Sequence, residues 1–414
     1  MHALNEKRPA CLIFNIIDSV CRSAFILRVL IFSSCLLVTQ SSMALFSLKE
    51  GQFSTTAELR ALYDGNIATS QTDPVDDIIF SFVPGFNYSR SNSLVGTNAN
   101  IELEAGRFYQ NRRLNFENLN IELSFDYPLL ENSNWESHFT SKFKENSTPN
   151  PIIGERTDSE VFSILGGFRY NFLPIYGVGI DASSDTTKSL VTDSGTKLSD
   201  VEQGVLNAQL FYKYSDLLVY KFRYRYREHT IIGNKADTIS MLNAAKMSGK
   251  DQVLTFGFEG SLTSLLSGEV EFGRFRRELN DLMGSGYGLF SATNLIWTIR
   301  PNVTTASLAF IADTTPTPVN DSITSRNLSL EINHFFSEYI ASSLDISFGT
   351  TNFTSTLVNS VPRKDHTYGY NFGLTYKFNE YLSAHCRGGY SWTETNSGPG
   401  YKRTTVEFGL QTKH

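Results

Sequence analysis

The chain of 414 residues has four cysteines, and three of them, Cys11, Cys21 and Cys35, fall within the first 44 residues. Past that point only Cys386 is left, so disulfides do not hold the remainder together. Proline is scarce at 12, and with 41% hydrophobic residues this excludes a disordered or collagen-like chain. Cations are not in excess either: the formal charge is −6, which speaks against nucleic-acid binding by a strongly basic domain. No apolar run after residue 45 approaches the ~20 residues of a spanning helix. A membrane location would therefore require β-structure. Catalytic signatures are missing as well. His138, His229, His334, His366 and His385 are scattered, without His/Cys spacing for a metal, and no G-x-S-x-G nucleophile stretch occurs. The glycine-rich "GSGYG" (284–288) lacks the strand-to-helix setting of a phosphate cradle. The expectation is a protein that is not an enzyme and uses neither cofactor nor metal.

What the chain does have is aromatic: 31 Phe and 19 Tyr. In "LVYKFRYRYREH" (218–229), Lys221, Arg223, Arg225 and Arg227 alternate with Tyr220, Phe222, Tyr224 and Tyr226. Such alternation makes two opposite faces only on a β-strand; at a helical period the two sets would mix.

The N-terminus reads as a secretory leader. Arg22 and Arg28 precede the apolar "VLIFSSCLLV" (29–38), and Ser42 and Ala44 supply small residues for cleavage before Leu45. The expected division is a signal peptide over 1–44, a short periplasmic segment over 45–56 and a barrel over 57–414.

From residue 57 on, alternating segments recur, among them "DIIFSFVPGFNYS" (77–89), "FSILGGFRYNF" (162–172), "QVLTFGFEGSL" (252–262) and "YGYNFGLTYKF" (368–378). Their length suits the ~9 to 11 residues of a tilted membrane-spanning strand. Tight turns such as "FLPIY" (172–176), "IRPNV" (299–303) and "FNEYL" (378–382) alternate with long polar links over 146–159, 183–203, 229–252, 313–325 and 351–366. Aromatics gather beside the tight turns, as with Phe172, Tyr176, Tyr220, Tyr339 and Tyr381, in the manner of an interfacial girdle. The fold expected is all-β: a transmembrane antiparallel up-and-down β-barrel of about 18 strands in a bacterial outer membrane, with both ends on the short-turn side. A soluble sandwich, propeller or β-helix would also alternate, but no fixed short repeat is visible.

The opening strand pair carries a resemblance. "ALYDGNI" (61–67), then Asp77 and "IIFSFVPGFNYS" (78–89), with Asp64, Asn66, Asp77, Pro84 and Gly85 in place, resembles the β-barrel porin family of type 2. The resemblance implies a Gram-negative outer-membrane barrel associated with exopolysaccharide production. One departure is the end "VEFGLQTKH", which closes on His414 where such barrels commonly end in an aromatic residue.

Cations turned to lipid would cost ~2 to 4 kcal/mol each near the midplane, so the stripe of β-strand 218–229 is expected in the lumen. Lys221, Arg223, Arg225, Arg227, Arg274 and Arg276 are the predicted lumenal basic stripe, and Glu102, Glu104, Glu269 and Glu271 its acidic partners. Gly106 and Gly273 suggest bulges that re-aim the side chains after them. Two roles are compatible with this interior. The charges could pair into a network that fills the barrel, or unpaired Arg and Lys could line a path for an anionic solute, with Tyr or Trp for sugar stacking. The function expected is a channel for a polar, anionic solute, with exopolysaccharide export as the role the resemblance implies; the alternative is a plugged structural or surface-interaction barrel. The partners expected are outer-membrane lipid, a polysaccharide or other polar solute, and periplasmic export components.

Overall fold

The structure is a computed structural model that describes residues 47–48, 51–91, 95–128, 133–150, 155–190, 198–232, 247–279, 285–315, 322–354 and 363–414. The leader predicted over 1–44 lies outside the described residues. A two-residue strand β1 (Ser47–Leu48) folds back on the start of β2. The strands that follow are β2 (Gly51–Asp64), β3 (Asp77–Ser91), β4 (Gly96–Phe108), β5 (Phe116–Tyr127), β6 (Trp135–Asn150) and β7 (Glu155–Leu173). They continue with β8 (Tyr176–Ser189), β9 (Asp200–Lys213), β10 (Leu218–Ile232), β11 (Met247–Ser261), β12 (Leu266–Leu279) and β13 (Ser285–Arg300). The last six are β14 (Thr304–Thr315), β15 (Ser322–Phe335), β16 (Ile340–Thr354), β17 (Lys364–Lys377), β18 (Leu382–Thr395) and β19 (Lys402–Lys413).

Each strand from β2 to β19 pairs antiparallel with its sequence neighbour, and β19 pairs with β2, closing an 18-stranded barrel. Closure leaves no unpaired edge, which a hydrocarbon surround requires of any sheet. Among the described residues no helix is long and apolar enough to cross a membrane.

Tight turns at 174–175, 214–217, 262–265, 301–303, 336–339 and 378–381 lie on the rim that also holds the start of β2 and the end of β19. The longer links, including 65–76 and 109–115, lie on the other rim. Two expectations are corrected. The barrel begins at Gly51 rather than residue 57. The strands run further than the sequence suggests: β8 continues to Ser189 and β9 begins at Asp200, inside the link expected over 183–203, and β10 continues to Ile232 and β11 begins at Met247, inside that expected over 229–252. The reason is physical, since a ladder beyond the bilayer needs backbone hydrogen bonds but no apolar face, so polar residues continue the strands into water.

One face of the strands is apolar and exposed, with Leu59, Phe80, Phe168, Ile180, Leu210 and Phe372 among its residues. A soluble monomer seldom shows so continuous an apolar surface, whereas lipid covers one. Beside the tight turns a chain of rings, Phe172, Tyr176, Tyr212, Tyr220, Phe256 and Phe272, passes from β7 to β12 with centroids 5.2–6.4 Å apart. A second group lies toward the long-loop rim, where Tyr368 stacks on Trp392 at 4.7 Å and Tyr390 approaches Tyr370 at 5.7 Å. Rings at two levels are what the two interfaces of a bilayer select.

The residues that carry the family resemblance fasten the barrel's mouth. Asp64, at the end of β2, is fully buried and binds the Arg403 guanidinium through two bonds of 2.9 and 2.8 Å. Its Oδ1 also accepts the backbone N–H of Asn66. Asn66 donates to the carbonyls of Ser70 and Lys402 and accepts from Ser70 N–H. Asp77 accepts from the N–H groups of Ile78, Gln110 and Asn111. These bonds tie β19 to β2 above the last rung of their ladder, Thr405↔Asp64, and hold the 65–76 link against the wall. Ile67 of that link is buried on Ile79 and Phe108. Pro84 lacks an N–H, and the β3–β4 ladder is interrupted there between Phe82↔Ala105 and Gly85↔Glu102. At the other end of the seam His414 exchanges backbone bonds with Thr55, and its ring stacks on Tyr381.

Candidate functional site

Strand alternation divides β10 as the sequence predicts. Phe222 and Tyr224 are exposed on the outer face, while Lys221, Arg223, Arg225 and Arg227 face the lumen. The ladder to β11 sets Lys221 opposite Gly257, Arg223 opposite Thr255 and Arg227 opposite Asp251. Small partners at two of these rungs let the long cations reach one strand further.

They reach carboxylates. Lys221 forms ion pairs with Glu259 of β11 and, at 3.0 Å, with Glu269 of β12. Arg223 binds Glu271 at 2.9 Å, and Glu271 also accepts the Thr255 hydroxyl. Arg225 donates to Asn207 of β9 at 3.1 Å and lies 5.0 Å over the Phe290 ring. Arg227 grips Asp313 of β14 at 3.0 Å and donates to the carbonyl of Thr314. On the far side Arg169 of β7 meets Glu259 at 3.5 Å and covers Phe211.

Two corrections apply to the predicted stripe. Arg274 and Arg276 are on the outer face, where Arg274 lies over Tyr287 and Arg276 pairs with Glu278. No bulge occurs at Gly273: the β11–β12 ladder keeps its register from Gly268 through Leu279, so Glu269, Glu271 and Arg277 share one face. Arg277 is the inward residue, bound to Asp251 by two bonds of 2.6 and 2.5 Å. The acidic partners also differ. Glu269 and Glu271 serve the stripe, but Glu104 pairs with Arg60 at 3.0 Å, and Glu102 faces inward on β4, away from β10. Likewise Gly106 stays in register between β4 and β5. Asp251, Glu259 and Asp313 were missed. Asp251 and Glu259 lie at the inward period of β11 and follow once the turn at 262–265 fixes the hairpin register, whereas Asp313 comes from a strand four places away.

That distance is informative. Four strand spacings amount to about 19 Å along a sheet, yet Arg227 and Asp313 touch, so the wall from β10 to β14 curls tightly around the network. Arg227, Asp251, Glu271 and Arg277 are each at most 5% exposed. Charges removed from water this far are tolerable only when paired and hydrogen-bonded. The β7–β14 side of the lumen is thus a packed block in which Lys221, Arg223, Arg227 and Arg277 meet carboxylates, while Arg225 meets Asn207 and the Phe290 ring.

The open side is elsewhere. A cavity of about 580 Å³ lies against β15–β19, lined among others by Glu331, Asp345, Asn371, Arg387, Thr405 and Glu407. Here inward residues stay exposed, as Ser329, Glu331, Ser347, Asn371 and Arg387 do. The Tyr and Trp residues expected to offer stacking surfaces in the lumen are on the outer face of these strands, since Tyr368, Tyr370, Tyr390 and Trp392 alternate with the inward set. Among the described residues no group of three or more His, Cys, Asp or Glu is placed to hold a metal ion.

Comparison with known proteins agrees with this architecture. Residues 230–414 match the model of the family described as "Putative beta-barrel porin 2". That is the family the opening strands resemble, although the match falls on the C-terminal strands and not on those residues. No curated protein matches the sequence. Similar solved structures include Acinetobacter baumannii OccAB3, at 11% identity and TM-score 0.45 over 89% of this chain and 100% of that one. The open form of the ferric-catecholate import receptor Fiu from E. coli K12 aligns at 7% and 0.46 over 90% and 82%. The ferric enterobactin receptor PfeA of Pseudomonas aeruginosa aligns at 7% and 0.44 over 87% and 80%. These scores mark a distant likeness only. The closed barrel, its apolar belt and the family match place the chain in the bacterial outer membrane as a porin-like barrel.

Proposed function

We propose that the chain is a passive channel, without a catalytic step, that passes a polar solute across the outer membrane. The observation that carries this is the asymmetry of the lumen: the β7–β14 side is filled by paired charges, while the β15–β19 side keeps exposed polar residues around a cavity. Export of an exopolysaccharide is the finer reading, and it comes from the resemblance carried by Asp64, Asn66, Asp77, Pro84 and Gly85. Lys221, Arg223 and Arg227 of the basic stripe are paired with carboxylates, which withdraws the argument for an anionic cargo from those three residues.

A second reading has its own support. The charge block and the 65–76 link, tucked onto Ile79 and Phe108, both narrow the lumen, as a plugged structural barrel would require. Reconstitution in a planar bilayer separates the two. Stepwise ionic conductance from folded protein is the expected result; its absence in protein shown to be folded by spectroscopy would leave the structural barrel.

A further inference from the structure

We infer that the conducted solute is an uncharged, hydroxyl-rich saccharide chain, and that it travels along the inner wall of β15–β18. This rests on the channel reading above and deepens it.

The ladders on this wall set inward residues side by side in rows. One row runs Ser329↔Ser347↔Gly369↔Ser391. The next toward the long-loop rim runs Asn327↔Gly349↔Thr367↔Thr393. Toward the tight turns the row is Glu331↔Asp345↔Asn371↔Gly389, and then Asn333↔Ser343↔Gly373↔Arg387. Over β15–β18 two rows thus carry no charge, and they lie on the long-loop side of the rows that line the cavity. On β10–β12 the corresponding inward rungs carry Lys221, Arg223, Arg225, Arg227, Asp251, Glu271 and Arg277, with Val253 and Phe275 between them.

Chemistry follows from the side chains. Ser, Thr and Asn each both donate and accept, so they match sugar hydroxyls in either sense and can exchange one partner for the next. No aromatic side chain stands among the inward residues of these rows, so stacking does not hold the sugar, and passage needs binding weak enough to release. Glycine in each of the four rows, at Gly349, Gly369, Gly373 and Gly389, leaves the wall shallow. A polyanion would meet a different surface. Glu331 and Asp345 stand directly opposite each other across two strands, and both face the cavity. Among the described residues Arg387 is the one cation lining this cavity, and Glu407 approaches it at 3.5 Å. Two carboxylates on the cavity wall repel an acidic polymer, and the lining offers it one cation already held by Glu407.

The test uses single channels in a planar bilayer, with a neutral dextran-type oligosaccharide and an oligogalacturonate of equal length as probes. The neutral probe should interrupt the current at least about tenfold more often than the acidic one at equal concentration, which is a difference of one decade in binding. In a variant carrying Ser347→Leu and Asn371→Leu, interruptions by the neutral probe, counted per open channel, should become at least about tenfold rarer. Acidic probe blocking as often as neutral probe overturns the inference and leaves the channel standing. Unchanged block in the double variant removes the assigned wall. A folded barrel that passes no current at all overturns the channel reading and this inference together.

Discussion

Breaking the Asp64–Arg403 pair should reveal how the barrel's seam is held, and the two single substitutions should not be equivalent. Asp64 is fully buried, while the Arg403 side chain is 27% exposed. Removing one member of a buried ion pair generally costs ~3 to 5 kcal/mol, because the other is left uncompensated. In Asp64→Ala the orphan is Arg403, which can turn to water, and the chain also loses the cap on Asn66 N–H. A loss of about 3 kcal/mol is expected, near the lower limit. In Arg403→Ala the orphan is a carboxylate with no exposure, so the loss should reach about 4 to 5 kcal/mol. The double variant should cost clearly less than the sum, with a coupling of about 2 kcal/mol between the sites. Urea titration of protein folded in lipid vesicles, read by linear extrapolation, measures all three. A coupling under about 0.5 kcal/mol, the ordinary scatter of independent sites, would falsify the claim that this pair closes the seam. Equal losses for the two singles would refute the argument from exposure.

Other substitutions test the remaining assignments. Phe222→Arg places a cation on the lipid side of β10 and should cost ~2 to 4 kcal/mol in the same titration. Arg227→Met removes the bridge from β10 to Asp313 and should lose ~3 kcal/mol or more, accompanied by a larger single-channel conductance as the β7–β14 side loosens. Arg274→Gln with Arg276→Gln, on the outer face, should leave ion selectivity unchanged in a bilayer measurement; a shift toward cations would return them to the lumen. Gly260→Ala should destabilise by ~1 to 3 kcal/mol, since φ is +134° there and an added Cβ would meet the Leu217 carbonyl at 1.9 Å.

Local pattern was enough to determine the barrel. A period of two in 218–229, read with the cost of a cation in hydrocarbon, decides which face of β10 meets lipid before any partner is known. Alternating short and long connections likewise imply an up-and-down path with both ends at one rim. What local pattern could not supply was distance around the barrel. Glu104 looked like a partner of the stripe because its strand has a similar charge pattern, yet its cation is Arg60. Asp313 is invisible as a partner of Arg227 until four strands curl together. Arg274 and Arg276 show the same limit on a smaller scale: glycine permits a bulge, and only the ladder across β11 and β12 shows that none forms. Sequence alone thus determined the kind of surface each strand presents, because side-chain alternation is a property of one chain segment. Closure of the ring decided which of those surfaces neutralise one another and which stay open to a solute, because pairing of charges depends on curvature that no single strand contains.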